Sequence, residues 1–381
     1  MKQVTIIKRY DRNFRLPLYS LLKEELKLSS IDFSLIIGQP NKFEGNNIKD
    51  ALDSNPFGPF IQNKYFYIGE NFLSYQNAMR FVERSNLIIV QQSNSEILNY
   101  ILLLKRNIKK NIKLAFWGHG INFQAKNKKS FSQIFKLYIS KHVDHWFAYT
   151  KKVSDLLIYN GFPAEKITVL NNTIDVKSEK ILFDSINEYE IRNMRLNFGI
   201  RDNDKVGIFC GSLYKLKGIE FLLKSIKLVR QQCNNFHFFV VGAGDMVDEV
   251  IAFENNNSQW FHYVGFKTGR EKQSFLKIAD FQMITGVVGL NIIDSFYSQT
   301  PLITIFSSTN SPEIEYLKNG KNGIITRDDL TEYANSVVEI IRDEEKLKLL
   351  KIGCIESSKI YTIEMMAENF TVGINKCLNG S

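Results

Sequence analysis

The segment Phe281–Phe306, FQMITGVVGLNIIDSFYSQTPLITIF, establishes the architecture of this 381-residue chain. It contains an apolar run, FQMI, a turn with two glycines, a helical pattern that ends near Tyr297, and a second apolar run, LITIF. A strand, a helix and another strand in this order predict a βαβ unit with parallel strands. The apolar runs alternate little with polar residues, which is typical of strands buried on both faces of a sheet.

The same alternation extends outward from this unit. Strand runs at KVGIFCG, HFFVVGAG and WFHYVGF precede it, each followed by a helical pattern. The first half repeats the scheme less clearly, with strands expected from Val4–Lys8 to Trp146–Tyr149 and a helix expected at Glu70–Arg84. The predicted fold class is therefore α/β, with two Rossmann-like doubly wound domains facing across a cleft. The predicted bounds are 1–175 for the first domain, 176–359 for the second, and about 360–381 for a C-terminal helix that packs back on the first.

The composition excludes a disordered or fibrous chain. Of all residues, 44% are hydrophobic and 23% are charged, and no apolar run reaches the ~18–20 residues of a membrane-spanning helix. The four cysteines are far apart and the five histidines are dispersed. We therefore expect reduced thiols, a cytoplasmic protein and no metal site.

The net charge of +9 is concentrated in one segment. Residues 101–152 contain 12 Lys or Arg and a single acid, so they carry +11 and the rest of the chain carries −2. The apolar residues Phe131, Ile134, Phe135 and Tyr138 lie within this segment at helical spacing. Three interpretations remain open: a core helix with a solvated lysine face, adsorption to anionic lipid, and nucleic-acid binding. Because no nucleic-acid motif accompanies the charge, we prefer an anionic membrane surface contacted through Lys105–Lys152 and expect no nucleic acid.

Two turns between a strand and a helix are suited to an anionic ligand. Gly211–Gly218, GSLYKLKG, has a glycine at the strand end and Lys217 beside the new helix, which together suit a phosphate. Gly286–Asp294, GVVGLNIID, places backbone amides at a helix start, and the carboxylate of Asp294 can accept hydrogen bonds from a ribose diol. Each turn also fits an ordinary connection without a ligand, and Asp294 also fits a polar helix face.

The order of these motifs resembles the donor-binding half of GT-B glycosyltransferases, most closely the retaining glycosyltransferase family 4, or group 1 glycosyl transferases. The resemblance covers about Asn171 to Thr326, and GLNIIDSFYSQTPLIT is its most specific part. It implies that Lys217 binds the diphosphate and that Asp294 binds the ribose. The donor-binding residues that it implies are Gly211, Ser212, Lys217, Gly242, Gly244, Phe266, Gly286, Val287, Val288, Gly289, Leu290 and Asp294.

The chain departs from the family pattern at three positions. Gly286 stands where the family usually has Glu, Asp294 where it usually has Glu, and Ser212 where an Arg is common. The first change removes an expected contact to the donor sugar. The third leaves Lys217 as the main cation of the phosphate loop.

Candidate residues of the first domain lie at the ends of its strands. His119 stands between two glycines after the strand LAFW, and the resemblance places such a histidine beside the donor sugar, so we predict His119 and Lys217 as the active-site pair. The alternative interpretation of His119 is a turn residue whose ring caps a helix. Arg12 and Arg15 follow the first strand and are candidates for an acceptor phosphate, although arginines on a solvated loop fit equally well.

The function that the resemblance implies is sugar transfer from a UDP- or GDP-linked donor to a glycan or lipid-linked acceptor, with retention. The enzyme would be a hexosyl- or related glycosyltransferase of bacterial surface polysaccharide or lipopolysaccharide synthesis, peripheral on the inner face of the membrane. Lys217 and nearby amides would stabilise the leaving diphosphate without a cofactor or metal. Asp202-Asn203-Asp204 matches the Asp-x-Asp of metal-dependent glycosyltransferases of another fold, but it precedes a strand, and we interpret it as a turn. The alternatives are a sugar-nucleotide epimerase of the same fold and a non-catalytic GT-B binding partner.

Overall fold

The computed structural model describes residues 1–42, 50–69, 71–108, 112–121, 131–307 and 310–380. The chain forms two units, one of Met1–Ile174 with Ile363–Ser381 and the other of Asp175–Thr362. These bounds differ from the predicted ones by a few residues. Within the described residues, no helix is long and apolar enough to cross a membrane.

The first unit is built on a six-stranded parallel sheet in the order β2-β1-β5-β6-β7-β8. Its strands are Lys2–Ile7 (β1), Ile31–Ile36 (β2), Leu87–Gln91 (β5), Lys113–Gly118 (β6), His145–Ala148 (β7) and Ile167–Val169 (β8). Its helices are Leu16–Leu28 (α1), Ile97–Ile108 (α2), Phe131–Ser140 (α3) and Lys151–Tyr159 (α4). The strand residues are mostly buried, as expected for a parallel sheet with helices on both faces.

A separate hairpin of two antiparallel strands, Lys64–Ile68 (β3) and Asn71–Tyr75 (β4), lies in the first unit. The sequence analysis predicted a helix at Glu70–Arg84, and this prediction is wrong. The segment from Tyr65 to Tyr75 is rich in aromatic residues, which favour strands. Among the described residues of 70–84, the only helical element is a short 3-10 turn at Met79–Phe81.

The second unit has a parallel sheet of six strands in the order β11-β10-β9-β12-β13-β14. Its strands are Lys205–Cys210 (β9), Phe236–Val241 (β10), Phe261–Gly265 (β11), Phe281–Ile284 (β12), Leu302–Ile305 (β13) and Gly323–Thr326 (β14). Its helices are Val176–Asp184 (α5), Glu188–Asn197 (α6), Ile219–Gln232 (α7), Val247–Asn255 (α8), Gly269–Ile278 (α9), Asn291–Tyr297 (α10), Leu330–Arg342 (α11) and Glu344–Ser358 (α12).

The last helix, Ile363–Asn379 (α13), belongs to the first unit. Its buried face, which includes Met366, Phe370 and Ile374, joins a hydrophobic cluster with residues of α1 and of the sheet. The rings of Phe370 and Phe147 stack with centroids 4.5 Å apart. The C-terminal helix therefore packs back on the first unit, and the predicted fold class of two Rossmann-like units is confirmed.

Candidate functional site

The candidate site lies at the topological switch point of the second sheet, which is the place where the order of the strands reverses. Strands β9 and β12 are neighbours, but the chain continues from β9 to β10 on one side and from β12 to β13 on the other. The connections that leave their carboxyl ends therefore diverge and open a crevice, which is where doubly wound sheets bind ligands. These two connections are the predicted Gly211–Gly218 and Gly286–Asp294 segments.

Direct hydrogen bonds join the two segments. The amide of Val287 donates to the carbonyl of Leu216 over 2.9 Å, and the hydroxyl of Thr285 donates to the carbonyl of Gly218 over 2.7 Å. A Cβ atom built on Gly286 would lie 2.1 Å from the oxygen of Leu216. No side chain fits at position 286 with the loops in this arrangement.

Two backbone amides of the Gly286–Asp294 segment, which were expected to be open to an anion, already donate to other groups of the protein. The amide of Val287 is bonded to Leu216, and the amide of Gly289 donates to the hydroxyl of Ser311 over 2.9 Å. The expectation that the Gly289 amide is open to an anion is therefore wrong for this conformation. The side chains of Val287 and Val288 are buried. These two valines fix the loop in place, and Leu290 precedes the first turn of α10.

Lys217 is buried at the centre of this arrangement. Its side-chain nitrogen Nζ lies 3.1 Å from Oδ1 of Asn291 and 3.3 Å from the carbonyl oxygen of Val288. Burial lowers the pKa of Lys217 to about 8, although Cys210 and Asp294 act in the opposite direction. A partly desolvated ammonium group at a strand end binds a diphosphate more strongly than a fully hydrated one, because less hydration is lost on binding.

Asn291 was missed by the sequence reasoning and connects the two loops. Its Nδ2 donates to the carbonyl of Cys210 at the end of β9, while its Oδ1 accepts from Lys217. A polar residue inside the otherwise apolar start of α10 was the signal that could have identified it. Burial raises the pKa of the Cys210 thiol to about 12, so this cysteine is not a nucleophile.

Asp294 is buried one helical turn further along α10. Its Oδ1 accepts hydrogen bonds from Lys272 on α9 over 2.8 Å and from the hydroxyl of Tyr297 over 2.9 Å. Glu179 on α5 lies 3.6 Å from Lys272 and accepts a hydrogen bond from Tyr297 over 3.3 Å. The ribose role of Asp294 stays a prediction, and the carboxylate that would perform it is already paired with a cation.

Burial acts to lower the pKa of Lys272, but the carboxylates of Asp294 and Glu179 and the thiol of Cys210 outweigh it, so the pKa lies above its usual value. Lys272 therefore stays charged at neutral pH. It is a second cation close to the end of β9, besides Lys217. The sequence reasoning missed it because a lone lysine in a helical pattern is usually a solvated residue.

The remaining predicted donor-site residues surround the same strand ends. A Cβ on Gly242 would lie 1.9 Å from the oxygen of Gly211, and one on Gly244 would lie 2.2 Å from the oxygen of Leu213, so these glycines permit close packing of two loops. Ser212 is exposed, and Phe266, just beyond β11, is 59% exposed. Both side chains are accessible to a ligand.

In the first unit, His119 follows β6 in the expected turn between two glycines. Gly118 and Gly120 both have positive φ, and the His119 ring lies 4.4 Å from the ring of Tyr149, centroid to centroid. The imidazole is partly exposed. Its role beside a donor sugar stays a prediction.

The two arginines predicted for an acceptor phosphate differ from each other. Arg12 is exposed, with its guanidinium 3.8 Å from Asp50, and remains a candidate. Arg15 is buried, and its guanidinium donates to the carbonyl of Thr173 and to Oδ1 of Asn172. The prediction for Arg15 is therefore wrong in this structure, because its donors hold the end of the first unit together.

No group of three or more metal-binding side chains occurs among the described residues. Asp204, the last residue of the Asp-x-Asp sequence, accepts a hydrogen bond from the amide of Arg201 over 2.8 Å. It also lies 3.4 Å from the ring of His237. These contacts are those of a turn.

Comparison with known proteins shows which proteins the chain is similar to. Residues 204–343 match the family model described as glycosyl transferases group 1. An uncharacterized glycosyltransferase, MJ1607, of Methanocaldococcus jannaschii is 26% identical over 174 residues, which are 42% of this chain and 43% of that protein. The alpha-monoglucosyldiacylglycerol synthase of Acholeplasma laidlawii is 24% identical over 226 residues, 58% of this chain and 55% of the synthase. The chain thus spans about half the length of these curated relatives.

Solved structures extend the likeness to both units. The HepE protein of Anabaena, solved in complex with UDP, superimposes with a TM-score of 0.69 at 16% identity, covering 99% of this chain and 100% of that one. The chain therefore has the fold of the GT-B glycosyltransferases, and part of its second unit is similar to the glycosyl transferases group 1 model. The expected resemblance is confirmed.

Proposed function

We propose that this protein transfers a sugar from a nucleotide-sugar donor, UDP- or GDP-linked, to a glycan or lipid-linked acceptor. The second unit binds the donor, with the diphosphate at Lys217 and the ribose near Asp294. The first unit binds the acceptor. Transfer proceeds with retention and serves bacterial surface polysaccharide or lipopolysaccharide synthesis.

One observation carries this proposal: the two predicted donor loops meet at the switch point of the second sheet and enclose a buried lysine of lowered pKa. Side chains with strongly perturbed pKa values cluster at functional sites. The position of Lys217 beside the carboxyl end of β9 and the start of α7 suits a diphosphate. The matched relatives are named as glycosyltransferases or glycolipid synthases, which agrees with this chemistry.

The proposed mechanism requires charge stabilisation. When the bond between the donor sugar and the diphosphate breaks, negative charge accumulates on the diphosphate oxygens. Lys217 offsets that charge from a site that is largely dry, where an ammonium group interacts more strongly than in water. We propose that the leaving diphosphate helps remove the acceptor proton and that no side chain forms a covalent sugar intermediate.

The experiment is a transfer and hydrolysis assay with UDP-, GDP- and ADP-linked sugars, combined with thermal-shift measurements with the nucleotide diphosphates. A nucleotide at about 100 times its dissociation constant adds about 2.7 kcal/mol to stability. The variant Lys217→Met should lose about 100-fold or more in kcat/KM, as expected when a group that stabilises developing charge is removed. The matched control is Lys215→Met, because Lys215 lies in the same 3-10 turn but is exposed. Absence of binding and turnover with every donor would contradict the proposal.

We also propose that the first unit contacts an anionic membrane surface, where a lipid-linked acceptor resides. Phe131, Ile134 and Tyr138 of α3 are 82%, 57% and 59% exposed. The interpretation of this pattern as a core helix face is therefore wrong for these three residues. Exposed aromatic and aliphatic residues on one helix within a basic segment are suited to the lipid interface.

Not all of the basic segment contributes to this surface. Arg106 forms a bidentate pair with Asp144, at 2.6 and 3.1 Å, and Lys113 donates to the carbonyl of Cys377. Lys136 is largely buried, which lowers its pKa to about 8. Lys141 and Lys152 are exposed, while Lys109, Lys110, Lys126, Lys128 and Lys129 lie outside the described residues. The membrane role therefore depends on fewer charges than the sequence total of +11.

A further inference from the structure

The first sheet has a switch point of its own. Strands β1 and β5 are neighbours, and the chain continues from β1 to β2 on one side and from β5 to β6 on the other. Arg9 follows β1, while Glu96 and Asn99 follow β5. All three line one cavity at this point. By the same topological rule as in the second sheet, a ligand site is expected here.

The hairpin β3–β4 closes this crevice. Asn63, just before β3, donates through Nδ2 to the carbonyls of Arg9 and Gln39, which follow β1 and β2. The amide of Ser74 in β4 donates to the carbonyl of Ser95 after β5 over 2.8 Å. The hairpin thus spans the carboxyl ends of three adjacent strands and forms one wall of the cavity.

Two buried amide oxygens, on residues that line this cavity, lack a hydrogen-bond partner among the described residues. They are Oδ1 of Asn63 and Oδ1 of Asn99, on side chains that are 5% and 2% exposed. Their orientation is fixed, because Nδ2 of Asn99 donates to the carbonyls of Gln91 and Ser93 over 2.9 and 3.3 Å. Nδ2 of Asn63 is likewise fixed by its hydrogen bonds to the carbonyls of Arg9 and Gln39. A buried acceptor left without a donor costs about 1–3 kcal/mol, so a hydrogen-bond donor is expected to occupy the cavity.

The charges of the lining select the kind of donor. Nε of Arg9 lies 3.9 Å from Oε1 of Glu96, and both side chains are only 13% and 12% exposed. The lining is therefore electrically neutral, which disfavours a phosphate. The cavity volume is about 10 Å³, enough for one hydroxyl group and too small for a sugar ring. The ring of Phe66, 52% exposed on the hairpin, offers an apolar surface nearby.

We propose that this cavity is an acceptor subsite, in which one hydroxyl of a neutral sugar residue donates its proton to Oδ1 of Asn99, beside Asn63. The rest of the sugar lies on the hairpin, with its C–H groups against exposed aromatic rings. The inference rests on the proposed glycosyltransferase function and names the acceptor end as a neutral glycoside. The residues concerned are Arg9, Asn63, Glu96 and Asn99, none of which the sequence motifs indicated.

The test uses the full-length protein and the octyl glycosides of glucose, galactose and N-acetylglucosamine as acceptor probes. Binding is measured by saturation-transfer NMR, and transfer kinetics are measured with the donor that the wild type uses. Loss of one hydrogen bond to a ligand changes affinity by about 3- to 10-fold, and more where a charged group is involved. Asn99→Ala should therefore raise the acceptor KM by about this factor, while kcat at saturating acceptor and the dissociation constant of UDP stay unchanged.

The matched control is Asn107→Ala on the same helix, since this residue is exposed and is not part of the cavity lining. Thermal unfolding of each variant separates loss of fold from loss of binding. Unchanged acceptor KM and NMR signals in Asn99→Ala would overturn the subsite, because the cavity would then hold only a water molecule. Failure of the wild type to bind any of the three glycosides would also overturn it. Failure to bind or use any nucleotide-sugar would instead overturn the proposed function.

Discussion

Lys217 should give donor binding a specific pH dependence. Its pKa is lowered to about 8 by burial, so its ammonium charge is present below that pH and is lost as the pH rises through it. We expect the affinity for UDP to fall above pH 8 in the wild type. In Lys217→Met affinity should be lower at every pH and nearly flat between pH 7 and 9. Isothermal titration of UDP across this range measures both effects.

Asn291 provides an internal check on the same lysine. Because its Oδ1 lies 3.1 Å from Nζ of Lys217, the change Asn291→Asp puts a carboxylate beside the ammonium group and should raise its pKa. The fall in UDP affinity should then move to higher pH. An unchanged pH profile in Asn291→Asp would show that a group other than Lys217 sets it.

Gly286 should not tolerate any side chain, including the Glu that the family resemblance leads one to expect at this position. A Cβ there would lie 2.1 Å from a backbone oxygen, whereas a Cβ on Gly289 would meet nothing within 4 Å. We expect Gly286→Ala to lower the free energy of unfolding by about 1–3 kcal/mol through overpacking. Gly289→Ala, whose residue has a φ of 62°, should cost about 1 kcal/mol through backbone strain alone. Urea denaturation of both variants measures the difference, and equal costs would contradict the tight packing of the two loops.

The helices α5, α9 and α10 are held together by one buried polar network. Lys272 on α9 pairs with Asp294 on α10, Tyr297 contacts both carboxylates, and Gln273 donates to Glu179 on α5. We expect Lys272→Met to cost about 3–5 kcal/mol, because it leaves the buried carboxylate of Asp294 without its cation. The double variant Lys272→Met with Asp294→Asn should recover part of that loss. A double-mutant cycle in urea gives the coupling, and additive effects of the two changes would show that the ion pair contributes nothing.

The elements that could be predicted from the sequence are those whose pattern is local. The strand at Phe281–Ile284, the glycine turn after it and the helix that ends at Tyr297 were each marked by apolar runs and glycines, and the structure has them at those places. The hairpin β3–β4 could not be recognised in this way. Its aromatic residues are spaced closely enough to resemble a helix face, and its partners, Arg9 and Ser95, are distant in the chain.

The candidate site was predictable only in part, for a related reason. Lys217 and Gly286 belong to turns with a recognisable composition, so the sequence marked them. Asn291, Lys272 and Glu179 matter because of what they touch, and those contacts join residues more than 70 positions apart in the case of Lys217 and Asn291. The burial of Arg15 could likewise not be predicted from the sequence, since its partners Asn172 and Thr173 are distant from it in the chain.

Both units use their sheets in the same way. Each has six parallel strands and one switch point, and each carries polar groups with perturbed or incomplete interactions at the carboxyl ends beside it. In the second unit these groups are cationic and suit a diphosphate. In the first they are a neutral pair and two amide oxygens, which suit hydroxyl groups. A charged leaving group and an acceptor hydroxyl are the two partners of the sugar transfer that we propose.

The location of the excess charge makes a prediction for the intact protein. The exposed face of α3, together with its basic surroundings, should bind vesicles of phosphatidylglycerol and phosphatidylcholine more strongly than vesicles of phosphatidylcholine alone. Each Lys or Arg near the surface contributes about 1 kcal/mol, and salt weakens that contribution. The combined change Phe131→Ser, Ile134→Ser and Tyr138→Ser should reduce sedimentation with the anionic vesicles at every salt concentration, because the apolar contact is lost. The control, Ile181→Ser with Leu196→Ser, removes two residues of the second unit that are 61% and 68% exposed, and should have no effect. If the α3 variant sediments like the wild type, or if the wild type binds both kinds of vesicle equally, the charge of the first unit serves a purpose other than membrane docking.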